Sequence, residues 1–99
     1  MPERKPLRIV HTSDVHLGAY AGSGDAKWNA RRELMELTFE RVIDLANETN
    51  ADALLIAGDF FDNDRVPEET VVFAAETIRK FAGQTFLIRY AIDADYMIT

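Results

Sequence analysis

Five consecutive residues, Ala53-Leu54-Leu55-Ile56-Ala57, carry no polar side chain, and Thr49-Asn50 and Gly58-Asp59 punctuate the chain on either side. The run reads as a strand. A strand without a polar face is expected to be covered on both sides, as in a parallel sheet. The segments around it fit that frame. Leu7-Arg8-Ile9-Val10-His11-Thr12, just after Pro6, is a short β-rich run. From about Lys27 to Glu48, Leu34, Met35, Leu37, Phe39, Val42, Leu45 and Ala46 recur at spacings of three and four, with Arg32, Glu36, Glu40 and Asp44 filling the other face. That spacing predicts an amphipathic helix. A second helix is expected from Pro67 as its first residue, with Glu68 and Glu69 in the first turn. It carries a Val71, Ala74, Ala75, Ile78, Ala82 stripe, Arg79 and Lys80 in the last turn, and Gly83 at C′. Thr85-Phe86-Leu87-Ile88 reads as a third strand, and after Arg89 the signal weakens. The β-α-β-α-β order predicts an α/β fold: an open, mostly parallel sheet with right-handed crossovers.

Composition limits what such a domain does. The chain has 99 residues and no cysteine, which leaves it without a disulfide frame, a zinc-thiolate site or a thiol nucleophile. Its size predicts one domain over residues 1–99. No run approaches the roughly 18 apolar residues of a membrane helix, so no membrane association is expected. The start, Met1 to Pro6, lacks the apolar stretch of a secretory signal, and the expected compartment is the cytoplasm. With 17 Asp and Glu against 11 Lys and Arg, the formal net charge is −6, which gives no general attraction to nucleic acid. If the chain acts on phosphates, a bound metal is the obvious neutralising group.

In open α/β sheets, ligand sites form at the carboxyl ends of the strands. Two such ends carry polar residues here: Ser13-Asp14-Val15-His16-Leu17-Gly18, and Gly58-Asp59-Phe60-Phe61-Asp62-Asn63-Asp64. Asp14 and Asp59 stand 45 positions apart in sequence, yet two parallel strands joined by one crossover end at the same sheet edge. In extended backbone, residues i and i+2 point to the same side, so Asp14 and His16 are expected to grip one ion. Gly58 leaves room beside Asp59 for a sharp turn. Two carboxylates and an imidazole form a mixed oxygen–nitrogen set suited to Mn²⁺, Fe²⁺ or Zn²⁺ rather than Ca²⁺. Each fragment alone also reads as an ordinary turn; the weight lies in the pair. His11 is read as packed or partly exposed within its strand, and Trp28 as an anchor of the first helix to the sheet.

The two segments His11-Thr12-Ser13-Asp14-Val15-His16-Leu17-Gly18 and Leu55-Ile56-Ala57-Gly58-Asp59-Phe60-Phe61-Asp62 resemble the first two signature blocks of the calcineurin-like metallophosphoesterases. Within that family they are most similar to the branch of DNA-repair exonucleases of the SbcD/Mre11 type. The resemblance covers about residues 7–88 and implies the first half of a metallophosphoesterase sandwich. It further implies two metal ions, commonly Mn²⁺, holding a phosphate ester that a metal-bound hydroxide attacks. Asp14 and His16 would ligate the first ion, Asp59 would bridge both, and Asp62 would be a supporting carboxylate behind them. The substrate it implies is a phosphate ester, with DNA suggested by the exonuclease-like wording.

The departures are as informative. The family's third block, Gly-Asn-His and an acid, should follow the third strand. Here Arg89-Tyr90-Ala91-Ile92-Asp93 follows, with Ala91 and Ile92 where the Asn and His ligands belong. Residues 89–99 therefore depart from the family. With His11 and His16 as the only histidines, the expectation is one ion at most, held by Asp14, His16 and Asp59. Asp93 and Asp95 are weak substitute ligands that also read as a polar turn. Three readings compete: a truncated phosphoesterase with an incomplete site; an inactive or self-associating module of the same fold, forming a homo-oligomer through an exposed sheet edge or apolar face; and an unrelated receiver-like domain. The last would want adjacent acids at the first strand end, where Asp14 is followed instead by Val15 and His16.

Overall fold

The computed structural model describes residues 6–19, 26–61 and 66–88. Within them the order is β1 (Ile9–Ser13), α1 (Ala26–Glu48), β2 (Ala53–Ala57), α2 (Glu68–Arg79) and β3 (Gln84–Ile88). The three strands form one parallel sheet in the order β1-β2-β3. The α/β class and the β-α-β-α-β order are those read from the sequence. β2 has the predicted bounds, because its apolar run leaves no ambiguity. β1 starts two residues after Leu7 and runs on to Ser13, and β3 begins at Gln84.

Register fixes which side chains share a face. Val10 lies opposite Leu54, and Thr12 opposite Ile56. Leu54 and Ile56 pack into one cluster with Phe39, Ile43 and Ala46 of α1 and Ala74 of α2, and Val10 packs against it. Full burial of Leu54 and Ile56 contributes about 1.5–3 kcal/mol each. Both helices therefore lie on one face of the sheet. Two crossovers of the same hand that step in the same direction produce this arrangement. On the other face Ile9, His11, Ser13, Phe86 and Ile88 are exposed beside half-buried Leu55. The expected cover on both faces of β2 is thus present on one face only among the described residues.

The apolar stripe of α1 differs from the sequence reading. Its buried residues are Phe39, Ile43 and Ala46, while Leu34, Leu37 and Leu45 are exposed. At 3.6 residues per turn those leucines lie roughly 120–160° round the helix from the buried line. Arg32 and Glu36, read as outward, sit near the buried azimuth and are half-buried. The first half of α1 has no buried residue, because the sheet it packs on spans only five residues per strand, against 23 in the helix.

In α2, Glu68 and Glu69 occupy the first turn and Arg79 the last, as expected. Pro67 is the N-cap rather than the first helical residue, with φ −57° and ψ 144°. The buried line runs through Thr70, Ala74 and Thr77, and Val71 points to solvent. Buried Thr77 satisfies its hydroxyl by donating to the Phe73 carbonyl at 2.7 Å. The helix ends with Lys80 as C-cap in right-handed geometry, so Ala82 lies beyond it and Gly83 is not a C′ residue. Gly83 is needed for space: a Cβ there would come within 2.7 Å of the Asp52 carbonyl oxygen. Asn47 ties the two helices at this end, donating to the Lys80 carbonyl at 2.8 Å and accepting from the Ala82 N–H at 3.0 Å. Among the described residues no helix is long and apolar enough to cross a membrane.

Candidate functional site

Beyond Ser13 the chain stays paired with the segment that follows β2. Asp14 N–H donates to the Ala57 carbonyl at 2.9 Å, His16 N–H to Asp59 at 3.0 Å and Leu17 N–H to Phe60 at 2.8 Å. Leu17 and Phe61 close an isolated parallel bridge. The apolar members of the first segment are drawn inward: Leu17 is fully buried and Val15 packs against the core. Asp14 is left exposed, and His16 is half-buried with its Nδ1 closed off from solvent.

The backbone reaches these bonds by an uncommon route. Asp14 and His16 have φ of +52° and +51°. Left-handed geometry costs roughly 1–2 kcal/mol for a residue with a Cβ, and Asp and His are among the types that adopt it most readily. The strand has therefore ended at Ser13, and the extended-chain alternation expected for Asp14 and His16 does not apply. Two left-handed residues flanking Val15 turn successive N–H groups toward the β2 segment.

Gly58 explains where the Asp14 carboxylate goes. Its φ is +76°, and its N–H donates to the Ile88 carbonyl at 3.0 Å, tying the β2 tip to β3. A Cβ on Gly58 would lie 2.2 Å from Asp14 Oδ1 and 3.1 Å from Asp14 Cγ. The carboxylate thus occupies the space an ordinary side chain would fill. The Asp59 N–H faces the same oxygen at 3.4 Å, a long and weak hydrogen bond. The tips of β1 and β2 are side by side, and Asp14 lies over the Gly58–Asp59 peptide.

Phe60 and Phe61, which follow Asp59, hold the β2 tip in place. Phe60 meets Phe39 of α1 edge-on with ring centroids 5.3 Å apart, and Phe61 meets Phe60 at 4.8 Å. In the sequence both rings stand only as letters of the second signature block. The available signal was two aromatics directly after a polar turn, which need a buried partner.

Among the described residues no three His, Asp or Glu side chains converge closely enough to hold an ion. The Asp14 carboxylate adjoins the Gly58–Asp59 peptide, but Asp14, His16 and Asp59 do not form a three-donor set. Asp62, Asp93 and Asp95 lie outside the described residues. A two-ion clamp needs more donors than these residues gather.

A perturbed carboxyl lies on α1. Burial pushes Glu36 above its ordinary value against the pull of Arg32, and Glu33, Glu40 and Glu69 add to the rise. The folded chain holds this proton to higher pH than the unfolded one does. Its contribution to stability is complete below the ordinary Glu range and falls as pH rises through the elevated value. Solvent screening keeps the effect small.

The family profile described as calcineurin-like phosphoesterase matches residues 7–90. The chain is 38% identical over 72 residues to a DNA double-strand break repair protein Mre11 from Aeropyrum pernix, covering 73% of this chain and 17% of that protein. It is 35% identical over 72 residues to the protein of the same name from Methanopyrus kandleri, covering 73% and 15%. To the Arabidopsis thaliana double-strand break repair protein MRE11 it is 27% identical over 92 residues, covering 93% and 12%. The chain thus spans less than a fifth of the length of these relatives.

Proposed function

Because the chain belongs to the calcineurin-like phosphoesterase family, we propose that its strand tips bind a divalent metal ion and act on a phosphodiester, with DNA as the substrate class. The single observation that carries this reading is the adjacency of the Asp14 carboxylate to the Gly58–Asp59 peptide. Asp14 and Asp59 would supply the oxygen donors; His16, in the same tip segment as Asp14, is the nitrogen donor that the family resemblance implies, and its ring does not converge with them into a three-donor set in this structure. The mixed donor set favours Mn²⁺, with Fe²⁺ or Zn²⁺ as alternatives, and the donor count favours one ion. When bound, such an ion polarises a phosphoryl oxygen and lowers the pKa of coordinated water. The rest is the work of the chain's own residues. Gly58 leaves the space Asp14 needs, Leu17 and Val15 fix the first segment to the core, and Phe60 and Phe61 fix the second. DNA fits because the relatives' names place them in double-strand break repair.

The test is Mn²⁺ binding by calorimetry together with Mn²⁺-dependent hydrolysis of an aryl phosphodiester. Asp59→Ala is expected to weaken Mn²⁺ affinity by about 10–100-fold or more, the scale of perturbing a metal site, and to abolish any turnover. Wild-type chain that binds no Mn²⁺, or Asp59→Ala that binds it equally well, overturns the reading.

The sheet face left without cover among the described residues favours a second reading, in which this chain self-associates. Ile9, Phe86 and Ile88 are 45%, 47% and 43% exposed on one side of a parallel sheet, and β1 and β3 both present unpaired edges among the described residues. Sedimentation is expected to show dimers or larger species that dissociate when Phe86→Lys and Ile88→Lys charge that face. A wild-type monomer at high concentration sinks this reading and leaves the metal reading untouched.

A further inference from the structure

Asn47 sets the register of the two helices. Both α1 and α2 run from the carboxyl edge of the sheet to its amino edge, because each joins two parallel strands. At the amino edge the Asn47 side chain holds the Lys80 carbonyl and the Ala82 N–H. Eleven residues back along α1 from Asn47 stands Glu36, and eleven back from Lys80 stands Glu69, in the first turn of α2. Eleven residues span about 16 Å and three turns plus roughly 20°. Glu36 therefore keeps to the flank of α1 that Asn47 turns toward α2, and Glu69 stands at its level. Two helices joined by hydrogen bonds at one end face each other through acids at the other.

Glu36 is half-buried and Glu69 exposed. The charged groups that act on Glu36 are Arg32, Glu33 and Glu40 of α1 and Glu69 of α2; among the described residues the strands and the tip segments add none. Burial, opposed by Arg32 and aided by the three acids, lets Glu36 keep its proton above the ordinary Glu range. Arg32 offers the ionised carboxylate a different partner: its Nε is closed off from solvent, with no hydrogen-bond acceptor among the described residues.

The start of α2 is in turn joined to the segment that follows β1. The Thr70 and Val71 N–H groups both donate to the Pro67 carbonyl, at 3.0 and 3.2 Å, and close the first turn. A Cβ on Gly18 would stand 3.6 Å from both Thr70 Cγ2 and Val66 Cγ1, so Gly18 packs on the start of the helix. Ala19, buried beside it, donates its N–H to the His16 carbonyl at 3.2 Å. A displacement of the first turn of α2 thus reaches the His16–Ala19 segment.

We propose that the Glu36 proton is a clasp between α1 and α2. With the proton in place, the neutral carboxyl lies beside the start of α2 without repelling Glu69. When the proton passes to water, the carboxylate turns from Glu69 toward Arg32, and the first turn of α2 loosens together with the Gly18–Ala19 segment. The Asn47 end stays fixed, so the helices hinge apart at the carboxyl edge of the sheet. The clasp needs no bound ion and is independent of the metal reading above.

Hydrogen exchange followed by NMR tests this on the full chain in EDTA, with protection taken against the intrinsic rate at each pH. The carbon-13 signal of the Glu36 carboxyl reports its titration in the same samples. Protection of the Thr70 and Val71 amides is expected to fall several-fold as pH rises through the Glu36 midpoint, and the Gly18 amide signal to move with the same midpoint. The Lys80 and Ala82 amides, at the pinned end, are expected to show no such step. Glu36→Gln is expected to keep Thr70 and Val71 protected across the range. Glu69→Gln is expected to lower the Glu36 midpoint and shrink the step, whereas Glu76→Gln, which neutralises an exposed acid further along α2, leaves both as in the wild type. Asp59→Ala is expected to keep the step, so a failure of the metal site and a failure of the clasp are read separately. A wild-type chain without the step, a step that persists in Glu36→Gln, or one that is unchanged in Glu69→Gln overturns the inference.

Discussion

Phe39→Ala is expected to lower the melting temperature by roughly 15–30 °C, or to leave the chain unfolded at room temperature. The ring is 1% exposed and is the largest fully buried side chain in the core. Removing a buried phenyl costs about 3–5 kcal/mol in lost burial and cavity. A domain of this size has about 5–15 kcal/mol in total, and each kcal/mol moves its melting point by about 4–8 °C. Alternative compensation is scarce, because among the described residues the sheet is covered by helices on one face only and Phe39, Ile43 and Ala46 are the whole of α1's buried line. The same ring abuts Phe60, directly after Asp59, so stability and the β2 tip are joined at one contact. Phe60→Leu alone should cost less. The double variant should be more stable than the sum of the single losses implies, by about 0.5–1.5 kcal/mol, the coupling of an edge-on aromatic pair. Thermal circular dichroism and urea unfolding measure all three. A loss of only a few degrees for Phe39→Ala would mean that the ring does not sit in the core.

The parts of this fold legible in the sequence are those where one physical constraint acts alone. Ala53–Ala57 has no polar residue to compete for a surface, so its bounds follow. Pro67, Glu68 and Glu69 mark the start of α2 because fixed φ and a favourable dipole agree there. Where two constraints compete, the reading slips. Residues 34–46 of α1 contain two interleaved sets of apolar positions, and periodicity cannot say which one meets the sheet. Azimuth decides it: the helix lays one side on the sheet, so the set through Phe39, Ile43 and Ala46 is buried, and Leu34, Leu37 and Leu45, roughly 120–160° round the helix, are not. Gly83 was read by its type as a helix terminator, when what it answers is the approach of the Asp52 carbonyl. At the candidate site, the pairing of Asp14 with Asp59 follows from topology alone, since consecutive parallel strands end at one edge. The left-handed turns at Asp14 and His16 do not follow. Nothing in the residue types demands them; they arise because the Asp14, His16 and Leu17 N–H groups must find the Ala57, Asp59 and Phe60 carbonyls. That pairing, rather than strand alternation, sets the direction of the donors.

Gly58→Ala is expected to reduce Mn²⁺ affinity by about 10–100-fold while costing only about 1–2 kcal/mol of stability, the separation that marks a positioning role. Alanine at φ +76° is strained whatever surrounds it, and its Cβ would meet Asp14 Oδ1 at 2.2 Å. The Asp14 side chain is short, and the cheapest relief is rotation of its carboxylate away from the Gly58–Asp59 peptide. That rotation withdraws one of the two proposed oxygen donors without touching the core. Two comparisons isolate the cause. Gly18 also has a positive φ, of +91°, yet a Cβ there meets nothing closer than 3.6 Å. Gly18→Ala should therefore show the stability loss without the Mn²⁺ loss. Asp14→Ala should weaken Mn²⁺ binding by itself and add nothing further in the Gly58→Ala background, because both changes withdraw the same carboxylate. Calorimetric titration of Mn²⁺ into the wild type and the four variants, with melting curves for each, reads out the pattern. If Gly58→Ala and Asp14→Ala weaken binding additively, the glycine acts on the ion by some route other than Asp14. If Gly58→Ala binds Mn²⁺ as tightly as the wild type, the space beside this glycine has no part in holding the metal.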